Sequence, residues 1–291
     1  MPGVPRSLRR WLGRLLPEFV KRPLRGRLYG FRAPRAPMRT TLHAEGDRCR
    51  VTIDDTLVLR APASAVPDLR YHLQDNGASM DEIANLLRVA RATGGLLFDV
   101  GGHKSVLSQL FCLAAPGNRA VSYEPSPTLR AEAAQMRAMN ELDDRLTLRA
   151  EAIGDRALRS TGYVDATGLI AFGAPPTGAD ALDVVFTTLD AECDRLGVSP
   201  DVVKIDIEGF EDQALAGAQR LLAEHPPVLL LEFHLDLLDR RGVRPRDLLA
   251  GLERHGYTFH ATDGARLSAR DVYGAPDAVI RFMARPPAGK G

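Results

Sequence analysis

Cysteine is scarce: Cys49, Cys112 and Cys193 are the only three in 291 residues, and no two form a CxxC pair. An odd, widely spaced set argues against a disulfide framework and a structural zinc site, and a reducing, cytoplasmic compartment is expected. Long apolar runs are absent. No stretch of about 18 apolar residues occurs, so no helix is expected to span a bilayer. Low-complexity sequence is missing too. The 20 Pro and 26 Gly carry no period, which argues against a collagen-like chain. What remains, 45% hydrophobic and 26% charged residues, is the balance of an ordinary globular protein. The length allows one large domain or two small ones.

The net charge of +1 hides an asymmetry. Residues 1–40 hold eleven Lys and Arg against one acid, Glu18, for a net of +10, so the rest of the chain carries −9. Leu8, Trp11, Leu12, Leu15 and Leu16 recur at helical spacing, with Arg6, Arg9, Arg10 and Arg14 opposite. This predicts a basic amphipathic helix ending near Pro17. Arg14 and Pro17 interrupt the apolar run and no small-residue cleavage site follows, so no secretory signal is expected. Such a helix suits peripheral contact with an anionic membrane surface at the inner face, through residues 6–20, or with a phosphate-bearing partner. The plainer alternative packs its leucines on the body and leaves its arginines in water. Nucleic acid is not an expected partner, because the body is acidic. Residues 49–61 (CRVTIDDTLVLRA) alternate around Asp54-Asp55 and predict a β-hairpin. The expected division is an N-terminal basic segment and hairpin over residues 1–79 and a main domain over residues 80–291.

From residue 80 the pattern alternates. Helices are expected over Met80–Ala92, Val106–Ala114, Thr128–Asn140, Gly209–Glu224 and Arg246–His255. Strands are expected over Leu96–Val100, Ala120–Tyr123, Leu146–Ile153, Val202–Ile207, Pro227–Phe233, Tyr257–Thr262 and Val279–Ala284. This is an α/β chain with a mainly parallel sheet and helices on both faces. LLFDV and VLLLEF are almost wholly apolar, as strands buried on both faces should be. Residues 156–190 are less regular and read as extra strands or a loop over the site.

Ligands of open α/β sheets bind beyond the carboxyl ends of the strands. There the chain places Asp99, Gly101, Gly102, Glu124, Glu151, Asp155, Asp206, Glu208, Glu232 and His234. Gly101 and Gly102 allow positive φ and a close backbone approach, and the helix that follows offers free N–H groups to an anion. Glu124 can accept both hydroxyls of a ribose. A glycine turn and a strand-end acid at this spacing point to a nucleoside-type cofactor.

FDVGGHKS, VSYEPSP, AIGD, TLD, VVKIDIEGFEDQALAGAQRLL and PVLLLEFH occur in that order over about residues 96–260. The chain thereby resembles the FkbM-type S-adenosylmethionine-dependent methyltransferases. The resemblance implies a Rossmann-like class I fold: a seven-stranded, mainly parallel sheet with one antiparallel strand in its last hairpin. It also implies S-adenosylmethionine as cofactor and O-methylation of a natural product, sugar or glycan. Carried over, Asp99, Gly101 and Gly102 would line the methionine part and Glu124 would hold the ribose. Ile153 and Asp155 would flank the adenine, and Asp206 would sit near the sulfonium. The family usually reads FDVGANIG, so His103 and Ser105 stand where it has Asn and Gly.

On the acceptor side, residues i and i+2 of a strand face one way. Asp206 pairs with Glu208, and Glu232 with His234. His234 is the expected general base, with Glu232 orienting it and Glu208 positioning the acceptor. The same four groups have the chemistry of a hard divalent cation site, but strand-end carboxylates alone do not demand one and no metal is expected. Two other readings stand beside the methyltransferase. A nucleotide-cofactor oxidoreductase is disfavoured, because the turn lacks GxGxxG. A non-catalytic binding protein with a degenerate cofactor loop predicts no cofactor binding.

Overall fold

The computed structural model describes residues 38–92, 95–164, 170–172, 181–262, 264–275 and 277–287. The basic helix expected near residues 6–17 lies outside them. The described chain begins with an antiparallel meander of β1 (Thr40–Glu45), β2 (Arg48–Ile53) and β3 (Leu57–Pro62). The expected hairpin is its β2–β3 half. Asp54 and Asp55 form the turn at φ 48° and 59°, the two successive left-handed residues that a tight hairpin needs. Strand β1 escapes the pattern because it lies at the edge and its residues are mostly exposed.

Cys49, Val51, Ile53, Leu57, Leu59 and Ala61 alternate along β2 and β3 and are buried against Ile83, Leu87, Leu110 and Met136. Then come α1 (Val66–Arg70), a π-helical turn over Tyr71–Asp75, and α2 (Gly77–Ala92). Helix α2 begins three residues earlier than the apolar spacing predicts. Asn76 caps it, its Oδ1 accepting from the N–H groups of Ala78 at 3.1 Å and Ser79 at 3.3 Å.

The alternating body follows as β4 (Leu96–Val100), α3 (Val106–Ala114), β5 (Arg119–Tyr123), α4 (Pro127–Met139) and β6 (Leu146–Arg149). The strand expected over Leu146–Ile153 divides here. Strand β6 pairs with β5, whereas β7 (Ala152–Ile153) pairs with a later strand, residues 181–187, in a second sheet. That sheet holds β8 (Leu158–Val164), β9 (Ile170–Phe172) and β10 (Ala181–Thr187) in the order β7-β10-β8-β9. It accounts for much of the irregular stretch after residue 156.

The chain returns through α5 (Leu189–Leu196), β11 (Val202–Ile205), α6 (Glu211–Ala216), α7 (Gln219–Glu224) and β12 (Val228–His234). It continues as α8 (Leu235–Arg240), α9 (Pro245–Arg254), β13 (Thr258–His260), β14 (Arg266–Leu267), α10 (Ala269–Tyr273) and β15 (Val279–Arg285). The helix expected over Gly209–Glu224 breaks at Gly217-Ala218, where a Cβ on Gly217 would run into the carbonyl oxygen of Gly154. Asp190 restarts it, its Oδ2 and Oδ1 accepting from the N–H groups of Arg220 at 3.0 Å and Leu221 at 2.8 Å.

The main sheet runs β14-β13-β15-β12-β11-β4-β5-β6. Strands β6, β5, β4, β11 and β12 are parallel, and β15 is antiparallel to both its neighbours, β12 and β13. These are the expected seven strands with the two-residue β14 added at one edge. Neighbouring residues supply opposite cores. Phe98, Val203, Ile205 and Phe233 face one side, while Leu97, Val202, Leu230 and Met283 face the other. Each such buried side chain contributes about 1.5–3 kcal/mol. From β4 the chain moves outward to β5 and β6, then crosses back to β11 and β12. That reversal opens a crevice at the carboxyl ends of β4 and β11.

Candidate active site

A cavity of about 560 Å³ occupies this crevice. Its floor is Gly101, Gly102, Glu124, Lys204, Asp206 and Glu232. The helical layer before β4 contributes Asp68, His72, Ser79 and Glu82, and the second sheet contributes Ile153, Phe172 and Phe186.

The glycine turn is built by close approach. Gly101 stands at φ 77°, and a Cβ there would meet the Asp206 carbonyl oxygen. A Cβ on Gly102 would meet Ser122 Oγ. His103 and Ser105 also take left-handed φ, 51° and 54°. Such values are uncommon outside glycine. Ser105 is fully buried, and its Oγ lies 2.8 Å from Ser122 Oγ, so the hydroxyl that replaces the family's glycine is satisfied. Glu124 accepts from His103 N–H through Oε2 at 2.9 Å and from Ser126 N–H through Oε1 at 2.8 Å. A carboxylate has about four acceptor positions, so two remain for a diol. Burial raises the Glu124 pKa against these backbone donors.

Ile153 lines the cavity, as expected of a residue beside the adenine, whereas Asp155 does not and lies 3.6 Å from Arg156. Asp99 does not line it either. It is fully buried beneath the turn and accepts from Ser108 Oγ at 2.6 Å, so it supports the floor rather than meeting a ligand. Lys104 lines the cavity as well and pairs there with Asp68 and, at 3.0 Å, with Glu132.

The opposite half is dense with charge. Strand β11 ends at Ile205, so Asp206 and Glu208 do not form the expected same-face strand pair. Glu208 at φ 52° and Gly209 at φ 92° turn the chain out of the sheet, and Asp206 and Glu208 both reach the cavity from that turn. Burial opposes charge on both Lys204 and Asp206. Their contact at 3.0 Å outweighs it, raising the Lys204 pKa and lowering that of Asp206. Arg281 bridges Glu232 at 2.6 Å and Glu82 at 3.2 Å. Burial and the nearby Asp206 push Glu232 up to about 8.

His234 is enclosed. Its Nδ1 lies 2.9 Å from Glu211 Oε1 and its Nε2 lies 3.2 Å from Glu208 Oε2. Burial favours the neutral ring, but the bond to Glu211 and the charges of Glu208 and Asp206 raise its pKa to about 9. A ring that holds its proton at neutral pH, with both nitrogens engaged, is a poor proton acceptor. The role expected of His234 therefore does not fit its surroundings.

Two histidines line the cavity, His103 in the glycine turn and His72 in the π-helical turn, and His72 is the one the sequence reading left out. Its Nδ1 lies 3.3 Å from Ser79 Oγ, and burial lowers its pKa, which leaves it neutral. Nothing in YHLQDN marks it, because its place depends on α1 docking across the sheet. Arg281 is equally silent in sequence: it meets Glu232 only through the antiparallel register of β15 on β12. Lys204 and Glu211 lie within VVKIDIEGFE but had no assigned role.

Residues 99–259 match the family described as the methyltransferase FkbM domain. No match is found among curated proteins. The chain is similar to the solved structure of methyltransferase FkbM from Methylobacillus flagellatus KT, at 18% identity and a TM-score of 0.41, over 76% of this chain and 58% of that one. It therefore spans a little over half of that relative. It is also similar to an O-methyltransferase family protein from Burkholderia thailandensis, at 13% identity and a TM-score of 0.43, over 78% of this chain and 60% of that one. A third similarity is to a precorrin-6y C5,15-methyltransferase from Geobacter metallireducens GS-15, at 15% identity and a TM-score of 0.38, over 69% and 85%.

Proposed function

The chain belongs to the FkbM methyltransferase family, and from that premise we propose that it transfers a methyl group from S-adenosylmethionine to a hydroxyl of a small natural product, sugar or glycan. The observation that carries this reading is one continuous cavity lined by the glycine turn, Glu124 and His72. S-adenosylmethionine, when bound, supplies an electrophilic methyl group on a sulfonium. The residues fit it. Glu124 has acceptor positions left for two ribose hydroxyls, Ile153 and Phe186 offer an apolar wall to a purine, and Asp206 places a carboxylate where a cation is favoured.

For such a transfer the chain need only align the nucleophile and receive its proton. His72, neutral and on the cavity wall, is placed to accept it at Nε2 while Ser79 fixes Nδ1. Residues 1–79 serve in this reading as an extension of a methyltransferase domain over residues 80–291, and residues 6–20 as a peripheral membrane contact. Among the described residues no helix is long and apolar enough to cross a membrane.

Calorimetric titration with S-adenosylmethionine tests the proposal. Micromolar binding that disappears in Glu124→Ala supports it. No binding by intact protein that melts cooperatively overturns it, and binding of NAD instead would favour the oxidoreductase.

A further inference from the structure

His234 turns its Nδ1 to Glu211, which leaves Nε2 pointing into a cluster of carboxylates. Glu208 Oε2 lies 3.2 Å from it, Glu232 Oε1 3.8 Å and Asp206 Oδ1 3.9 Å. Asp206 divides its oxygens between two neighbours, whereas Glu232 presents Oε1 to both Arg281 and His234. Asp206 gives Oδ2 to Lys204 at 3.0 Å and keeps Oδ1 on the histidine side. Glu232 gives Oε1 to Arg281 at 2.6 Å, and its Oε2 is buried without any hydrogen-bond partner. Glu232 is only 4% exposed and forms part of the cavity wall. An orphaned carboxylate oxygen at such depth is costly and calls for a ligand.

One donor atom from each of Asp206, Glu232 and His234 falls within 4.8 Å of the others, the one such group among the described residues. Around an ion with bonds of about 2.1 Å, adjacent ligands stand about 3 Å apart and opposite ones about 4.2 Å. The observed spacing needs only a small contraction to reach those values. A carboxylate behind the far nitrogen of an imidazole is the usual outer support of a metal-bound histidine, and Glu211 occupies that place.

We propose that Asp206, Glu232 and His234 bind a divalent first-row cation, with Glu208 closing the site from the cavity side. One imidazole with hard carboxylates and no thiolate suits Mn²⁺ better than Ca²⁺ or a structural zinc. The ion binds beside the methyl-transfer cavity, so an acceptor hydroxyl can take an open coordination position and lose its proton more readily. The binding site stands without the methyltransferase reading; its part in acceptor binding rests on it.

Metal-stripped full-length protein titrated with MnCl₂, followed by loss of the free Mn²⁺ electron paramagnetic resonance signal, tests the site. One ion per chain is expected. Glu232→Gln and His234→Ala should each weaken uptake at least about tenfold. Asp183→Asn, at an exposed partner of Arg159, should leave it unchanged. Asp206→Asn replaces either test variant that fails to melt cooperatively. Failure of the intact protein to take up Mn²⁺, or uptake indifferent to these substitutions, overturns the proposal. S-adenosylhomocysteine is titrated into the same stripped protein. Its binding without Mn²⁺ uptake overturns the metal site and spares the methyltransferase reading, and the reverse pattern does the opposite.

Discussion

Gly101 shows how much one residue can be required to do. It takes φ 77° and lies against the Asp206 carbonyl, so it joins the ends of β4 and β11 with no room for a side chain. A left-handed L-residue costs about 1–2 kcal/mol before any clash. Gly101→Ala should therefore lower stability by more than about 2 kcal/mol in urea unfolding and abolish S-adenosylmethionine binding. The residue-scale prediction for His72 concerns pH. Burial lowers its pKa from 6.5, and the charges around it divide: Asp68 and Asp206 favour the proton, while Arg281 and Lys204 oppose it. The ring is protonated only below its lowered pKa, so a proton-accepting His72 is competent above that value and is lost as pH falls through it. An NMR titration of the imidazole, assigned with His72→Gln, should give a midpoint below 6.5. A midpoint above it removes His72 from the proposed role.

At the scale of elements, the buried strands and their helices were legible. Strand β4 (LLFDV) and helix α3 (VLSQLFCLA) fall on the expected residues, because a doubly buried strand and a one-faced helix leave unmistakable spacing. What escaped depends on contacts between elements. The break at Gly217 reflects the approach of Gly154, and the turn after Ile205 requires a left-handed Glu208. Neither constraint is local in sequence. The motif TLD gains a physical meaning from the same break. Thr188 caps α5, accepting from Ala191 N–H at 3.0 Å, while Asp190 caps the restarted α7. Losing the second cap should cost about 1–2 kcal/mol. Asp190→Ala is expected to lower the melting temperature by about 2–4 °C in calorimetry.

At the scale of the molecule, the meander and the main domain share one core rather than touching at a seam. Asn140 ties them. Its Oδ1 accepts from Arg60 N–H at 2.8 Å, and its Nδ2 donates to Arg60 O at 2.7 Å, Gln109 Oε1 at 2.9 Å and Met136 O at 2.8 Å. Asn140→Ala leaves buried groups unpaired and should cost about 1–3 kcal/mol. Hydrogen exchange should then quicken in β2 and β3 before it does in β4 or β11. Uniform exchange across both sheets would show that the tie is not where the meander is held. The site's composition was half legible for a related reason. Glu124, Asp206, Glu208 and Glu232 sit at strand ends that the pattern marks, whereas His72, Glu82 and Arg281 come from elements whose docking no periodicity reveals.

Strand β15 is the last described strand, yet it lies between β12 and β13 within the sheet. During synthesis β12 must wait, its outer edge unpaired, until some fifty residues later β15 has left the ribosome. Glu232 waits with it, since Arg281 arrives on that same strand. Until then Glu232 has no guanidinium beside it, so the chemical site and the closed sheet are completed in a single late event. A chain that stops short of Arg281 would be both open along one edge of its sheet and electrostatically unfinished, and so prone to pair with another chain.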